Sequence, residues 1–275
     1  MKQFGRQIRL FLGNASESIE CSQLRISFEV VKTITSEPNP ARIRIMNLNP
    51  SHRNEITSGN FDTVILSVGY EDMRVIYAGD IVHCQDIREG LDTVTELECG
   101  DGAQDITFAR VNTTLSAGAD DRTILTETLK SMGKTHQSVI DLPNARALPR
   151  GKVLVGNARD VIEKVSVNND ANWSVQDGGL LVLPQDKALA DNEGYVISKD
   201  SGMIGSPQRT QDGMKLTCYL NPALVIGSLI RVESILKAYN GDYKITELTH
   251  TGDYLTDSWF SEIVCIGGEF QKVNR

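Results

Sequence analysis

Three landmarks occur twice in this chain, in the same order, and they constrain its fold more than any other feature of the sequence. Leu48-Asn49-Pro50 returns as Leu220-Asn221-Pro222, and Tyr77-Ala78-Gly79-Asp80 returns as Tyr239-Asn240-Gly241-Asp242. The run from Asp92 to Cys99 returns in pattern from Asp257 to Cys265: an acid, a hydroxyl, and later hydroxyl-acid-aliphatic-x-cysteine. The offsets are 172, 162 and 166 residues, so the copies differ by loop residues between shared strands. Two copies are too few for a solenoid, which stacks three or more units. They predict two similar β domains, with Tyr77 matching Tyr239 and Cys99 matching Cys265, flanking a different segment.

Hydrophobic periodicity fills in the elements. Leu24 to Val30 alternates apolar and polar as a half-buried strand does, and Arg42 to Ile45 resumes the alternation after a Pro- and Asn-containing turn at 35–40. Ser51 to Ser58 reads as a short polar helix with Ser51 as its N-cap and Glu55 near its first turn. Val64 to Tyr70 is a strand, followed by strands Val75 to Cys84 and Thr93 to Cys99 across a charged turn at 86–92. The pattern changes after Gly102. A helix opens at Asp120-Asp121, presents Leu125, Thr128, Leu129 and Met132 on one face, and stops at Gly133. Another opens at Asn157, with Asp160 three residues on and Ala158, Val161, Ile162 and Val165 as its apolar face. A hairpin joins Trp173–Gln176 to Leu180–Leu183, its glycines supplying positive φ in Asp177-Gly178-Gly179. The fold class is therefore mainly β with an α+β insert: a β-barrel domain over 1–102, an α+β insert over 103–199 and a second β-barrel over 200–275.

Charge and side-chain chemistry narrow the function. The 275 residues carry 36 acids against 28 bases, a net −8, which disfavours a general phosphate-binding surface because nonspecific nucleic-acid affinity comes from Lys and Arg. An oligonucleotide-binding barrel would need exposed aromatics interleaved with bases, and the strands offer few. Residues 1–6 lack a continuous apolar stretch, and no run approaches the roughly 18 apolar residues of a membrane span, so a cytoplasmically made protein that does not insert into membranes by itself is expected. Cys21, Cys84, Cys99, Cys218 and Cys265 are odd in number and widely spaced, which fits reduced thiols and neither a metal knuckle nor a disulfide framework. His52, His83, His136 and His250 are dispersed, and His83 and Cys84 would point to opposite faces of one strand. Gly202, Gly205 and Gly213 fit neither phosphate-binding fingerprint. Trp173 and Trp259 read as core or interface aromatics. Asp86, Glu89 and Asp92 are the one acid group that would serve a wall-degrading glycosidase, but they crowd one turn where that chemistry needs two carboxylates facing across a cleft. No catalytic, cofactor-binding or metal-ligating residue is assigned, and no cofactor is expected.

Several stretches taken together resemble a known family. They are Ala41 to Leu48, Val64 to Tyr70 with Tyr77 to Ile81, Glu98 to Gly102, Val155 to Val161, Trp173 to Gly178, Ser201 to Pro207, Leu220 to Leu224 and Thr249 to Asp253. Over roughly Arg42 to Glu269 the chain is similar to the baseplate hub proteins of phage tails, the Mu-like group in particular, and to their relatives in type VI secretion spikes. The resemblance implies a structural, non-enzymatic homotrimer in the virion, assembled in the host cytoplasm. In it two similar barrels per chain would form a pseudo-sixfold ring joining a sixfold tail tube, or tube initiator, to a threefold central spike, with the tape-measure protein as a further partner. A hub that lets DNA leave must not bind it, and from the acid excess Asp62, Glu71, Asp72, Asp242 and Glu247, on polar strand faces or in strand-end turns, are candidate lining acids of such a channel; the alternative is that the acids are spread over the outer surface for solubility. The chain is shorter than many such hubs, so their peripheral insertions are not expected.

Overall fold

The computed structural model describes residues 5–190 and 194–274; the N-terminal reading on residues 1–4 and the outermost ends of the expected domains lie outside them. Among the described residues the dominant element is one 13-stranded sheet, supplemented by three small sheets and four helices: Pro50–Thr57 (α1), Ala103–Phe108 (α2), Asp121–Leu129 (α3) and Ala158–Asn168 (α4).

Two five-stranded stretches of this sheet are wired alike. The strands Ile26–Thr33, Pro40–Met46, Thr63–Gly69, Met73–Glu89 and Asp92–Gly100 lie side by side in the order first, second, fifth, fourth, third, every pairing antiparallel. The strands Met203–Arg209, Gly213–Tyr219, Leu229–Glu233, Gly241–Asp253 and Trp259–Gly267 repeat that order and those directions. In each, the fourth and fifth strands place an isoleucine opposite a cysteine, Ile81 with Cys99 and Ile245 with Cys265, and a one-residue bulge follows at once. That register puts Tyr77 and Tyr239 two residues out of step. Tyr77 lies inside a strand, fully buried, its hydroxyl donating to the Asn39 carbonyl at 3.1 Å, whereas Tyr239 ends a 3-10 turn.

The expected pair of separate barrels is replaced by a continuous open sheet. Gly241–Asp253 pairs with Ile26–Thr33 from Glu247↔Thr33 to Asp253↔Ser27, so the two stretches share a seam, and no strand path closes on itself among the described residues. The apolar alternation that suggested barrels fixes which face is buried but not which edge meets which. Three apolar clusters form. One lies under the first stretch with Leu220 and Trp259, one fills the insert from Ile106 to Val182, and one lies under the second stretch with Val139, Leu181 and Leu183.

Local outcomes follow from turn and cap chemistry. The N-cap of α1 is Asn49, whose side chain accepts from Ser51 N at 2.9 Å, and Pro50 takes the first helical position where its missing N–H costs nothing. The fourth strand runs on to Glu89 and turns on Gly90-Leu91, with Glu89 opposite Asp92, so the charged turn at 86–92 shrinks to two residues. In the insert hairpin Gln176 pairs with Gly179, and the turn is Asp177-Gly178, both at positive φ, while Gly179 belongs to the strand. Helix α3 starts on Asp120 as read but ends at Leu129, ahead of Gly133. The face Ala158, Ile162 and Val165 of α4 is buried and Val161 is half-buried.

Candidate functional site

The densest polar constellation is the seam where the insert meets one rim of the sheet. Asp101, at the end of strand Asp92–Gly100, is fully buried and accepts from the backbone N–H of Asp177 and, at 2.9 Å, of Gly178. The Asp177 side chain in turn pairs with Lys32 Nζ at 2.6 Å and accepts from Ala78 N at 3.2 Å. The Asp-Gly turn is thus held by three strands at once. On either side Asn39 Nδ2 donates to the Val175 carbonyl at 2.8 Å and Gln176 Nε2 to the Thr33 carbonyl at 2.7 Å.

A second anchor lies beside it. Lys134 Nζ reaches Asp80 at 2.8 Å and Asp62 at 2.9 Å, while the other Asp80 oxygen accepts from Gln104 N at 2.9 Å. Asp105 on α2 accepts from Gly133 N and Lys134 N at 2.9 Å, from Thr135 N at 2.6 Å and from Thr135 Oγ1 at 2.7 Å. A cleft of about 590 Å³, lined by Asp62, Asp80, Lys134, His136, Ala78 and Gly79 among others, opens over these groups.

Electrostatics follow from burial. The Asp101 carboxyl is pushed up to about 7, by desolvation first and the charge of Asp177 second, against the two N–H donors and Lys32. His250, wholly buried against Ser261 Oγ at 2.8 Å, is pushed down to about 3 by desolvation and then by Lys32. Burial also lowers Lys244 to about 8; its Nζ donates to the Pro184 and Gln185 carbonyls at 3.3 Å and sits 5.6 Å from the Phe270 ring. These groups are consumed in holding elements together. Among the described residues no cluster of three metal-ligating side chains forms.

The residues singled out in the sequence do not converge. Asp86 accepts from Thr95 Oγ1 at 2.8 Å and pairs with Arg53 at 3.0 Å, Glu89 pairs with Arg44, and Asp92 accepts from Asn47 Nδ2 at 2.8 Å. All five cysteines are free, four buried and Cys84 half-buried, and burial raises Cys21 to about 11 and Cys218 and Cys265 to about 12. Trp173 Nε1 donates to Glu163 at 2.7 Å, and Trp259 packs edge-on against Phe28 at 5.8 Å. Of the candidate lining acids, Asp62 and Asp242 are tied to Lys134 and Arg231, Glu71 and Asp72 lie between two strands, and Glu247 stands opposite Thr33. Sequence reading missed the anchoring roles of Asp101 and Asp105; the signal was an acid beside Gly102 and another three residues on.

A family model described as baseplate hub gp41 matches residues 8–253. The chain belongs to that family. This hub is therefore a structural protein of the phage tail baseplate, as its sequence resemblance implied. Solved structures share its fold at low identity. A prophage MuSo2 43 kDa tail protein from Shewanella oneidensis is 8% identical with a TM-score of 0.66, covering 95% of this chain and 97% of that one. A tail protein from Neisseria meningitidis is 7% identical with a TM-score of 0.68, covering 96% and 97%. An Escherichia coli component of the type VI secretion system, described as structurally similar to T4 tail proteins gp27 and gp5, is 10% identical with a TM-score of 0.59, covering 90% and 74%. No curated protein matches this chain by sequence.

Proposed function

We propose that the hub works as a homotrimer in which the two wired-alike strand sets of each chain are copies of one ancestral unit and act as quasi-equivalent segments of a pseudo-sixfold ring. The ring joins a sixfold tail tube or its initiator to a threefold central spike, with the tape-measure protein as a further contact, and it assembles in the host cytoplasm before entering the virion. The observation that carries this reading is the repeated pairing order, with its Ile-Cys register and following bulge, in the two strand sets. Such a chain supplies two similar units per copy, which is what lets three copies meet a sixfold partner. The functional units are 1–102, 103–199 and 200–275, a division supported by the three apolar clusters.

In this ring the sheet face turned away from the core lines the channel. That face carries Glu29, Glu98 and Glu247, none with an ion-pair partner among the described residues, beside the paired Arg42, Arg44 and Lys215. Its unpaired acids repel a polyanion over the roughly 8 Å of physiological screening, so nucleic acid passes without stable binding. The seam keeps the insert fixed on the rim while the ring bears load. The test is molar mass by light scattering, alone and with the spike protein added, followed by electron microscopy of the assembly. A mass three times 30.3 kDa with a sixfold-like ring is expected. A chain that stays monomeric with spike present, or that closes with another copy number, overturns the reading.

A further inference from the structure

The insert carries a two-stranded ribbon whose outer face is unlike the rest of the surface. Strand Arg110–Leu115 pairs antiparallel with Lys152–Asn157, and among the described residues no strand pairs with the outer edge of either. One face of the ribbon, with Val111, Leu115 and Leu154, is buried in the apolar cluster of the insert. On the other face directly opposed residues share a side, so Val153 stands with Thr114 and Val155 with Asn112. Val153 is 64% exposed and Val155 71%, and Phe108, at the entry to the first strand, is 74% exposed. Valines two apart on a strand suit a covered face, and no described residue covers these.

Charge sets this apolar strip apart. Arg110 flanks it at one end, and Arg150 and Lys152 flank it at the other with Arg146 beyond them. All four are exposed, and none has an ion-pair partner among the described residues. Residues 108–115 and 146–157 contain no aspartate or glutamate, within a chain of net −8. The acids next along the chain are committed elsewhere. Asp120 caps α3 by accepting from Thr123 N at 2.9 Å, buried Asp121 accepts from Arg146 N at 3.1 Å and Asn169 Nδ2 at 3.0 Å, and Asp160 accepts from Asn157 Nδ2 at 3.2 Å.

We propose that this ribbon is a docking site for an extended acidic segment of another protein. The segment lies along Lys152–Asn157 as a third strand, sets apolar side chains beside Val153 and Val155, and turns carboxylates toward the bases at the two ends. An open strand edge supplies main-chain hydrogen bonds to an added strand, and the alternating side chains supply selectivity. Nucleic acid fits the same face poorly, because single strands need rings to stack on and duplexes need a row of bases, whereas the centre here is two valines between Asn112 and Thr114. The site lies wholly on the insert and is independent of how copies of the chain join.

The test is fluorescence anisotropy on the full chain. One labelled peptide alternates valine and threonine between paired glutamates, and the other carries lysines in their place. Wild type should hold the glutamate peptide, more tightly at low salt, and not the lysine peptide. Arg110→Glu with Lys152→Glu should weaken the glutamate peptide by about tenfold, as two exposed ion pairs become repulsions, and should gain the lysine peptide. Both positions are exposed, so the variant keeps its fold, which circular dichroism checks. Val155→Glu should also weaken the glutamate peptide. Hydrogen exchange in residues 152–157 should slow when that peptide is bound. Equal binding of both peptides by wild type, or glutamate-peptide binding that the double variant leaves unchanged, overturns the site. Wild type that ignores the glutamate peptide but holds duplex DNA or anionic vesicles, and loses them in the double variant, overturns the assignment of a protein partner.

Discussion

Truncating Asp105 to alanine removes the acceptor for four donors at once. Three are backbone N–H groups, of Gly133, Lys134 and Thr135, and one is the Thr135 hydroxyl. Gly133 and Lys134 are exposed and their N–H groups regain water, while Thr135 is buried and its N–H does not. Losing a hydrogen bond to a charged group costs about 1.5–3 kcal/mol where the partner stays dry, as for the N–H and hydroxyl of Thr135, and about 0.5–1 where water replaces it, as for Gly133 and Lys134, for a total of about 4–8 kcal/mol. The lower end is roughly a thousandfold in the equilibrium for local opening. The cost falls on the loop entering strand His136–Ile140, whose partner is the insert hairpin, so the segment frays as a unit. Hydrogen exchange followed by mass spectrometry reads it directly, and Asp105→Asn, which keeps one acceptor oxygen, should show about half the effect in free energy. Protection of residues 136–140 unchanged within twofold in the alanine variant refutes the assignment of Asp105 as the pin of this loop.

Asp101 sets a pH dependence of definite sign. Its folded value of about 7 lies above the ordinary carboxylate range, so the native state binds the proton more tightly than the unfolded one. Its contribution to stability is full below about pH 4 and is lost as pH rises through about 7. His250 acts oppositely, since its folded value of about 3 makes stability fall as pH drops below the ordinary imidazole range. Urea unfolding of wild type minus Asp101→Asn isolates the first effect; a difference that grows more favourable to wild type between pH 4 and 7 contradicts it. Alkylation without reductant should modify Cys84 first in the native protein and all five thiols once unfolded, and fewer than five counts against dispersed free cysteines. Filter binding to duplex DNA at low salt should be absent or weaker than micromolar; tight, salt-sensitive binding eliminates the repelling channel face.

Strands with one wet face were legible in the sequence. Leu24 to Val30, Arg42 to Ile45 and Val64 to Tyr70 each lie within two residues of an observed strand, because side-chain alternation is a local property. Pairing is not local. Nothing near Val30 announces His250 as its neighbour, and that one contact turns two expected barrels into a single sheet. The same limit hid the seam. Asp101 and Asp105 drew no reading of their own in the sequence, and their roles come from donors at Gly178 and Thr135, brought over by the insert's own folding. The landmarks set Tyr77 against Tyr239, yet in the two strand sets the Tyr-x-Gly-Asp motifs sit two residues out of step, and the positions that correspond in register are Ile81 and Ile245 with the bulges that follow them.

The shared seam also has a consequence in time. Ile26–Thr33 emerges early in synthesis, but its outer neighbour Glu247–Asp253 is more than two hundred residues downstream. At about 5–20 residues per second, a bacterial or similar ribosome exposes that edge for on the order of ten seconds or longer. During that interval the nascent first strand set has an unfinished edge along Ile26–Thr33. Newly made chains on one message therefore meet with edges of the same kind before either has its own partner, and wrong pairing between them competes with completion. A chaperone holding the strand Ile26–Thr33 until residue 253 has cleared the ribosome would raise the yield of soluble hub without altering its final stability.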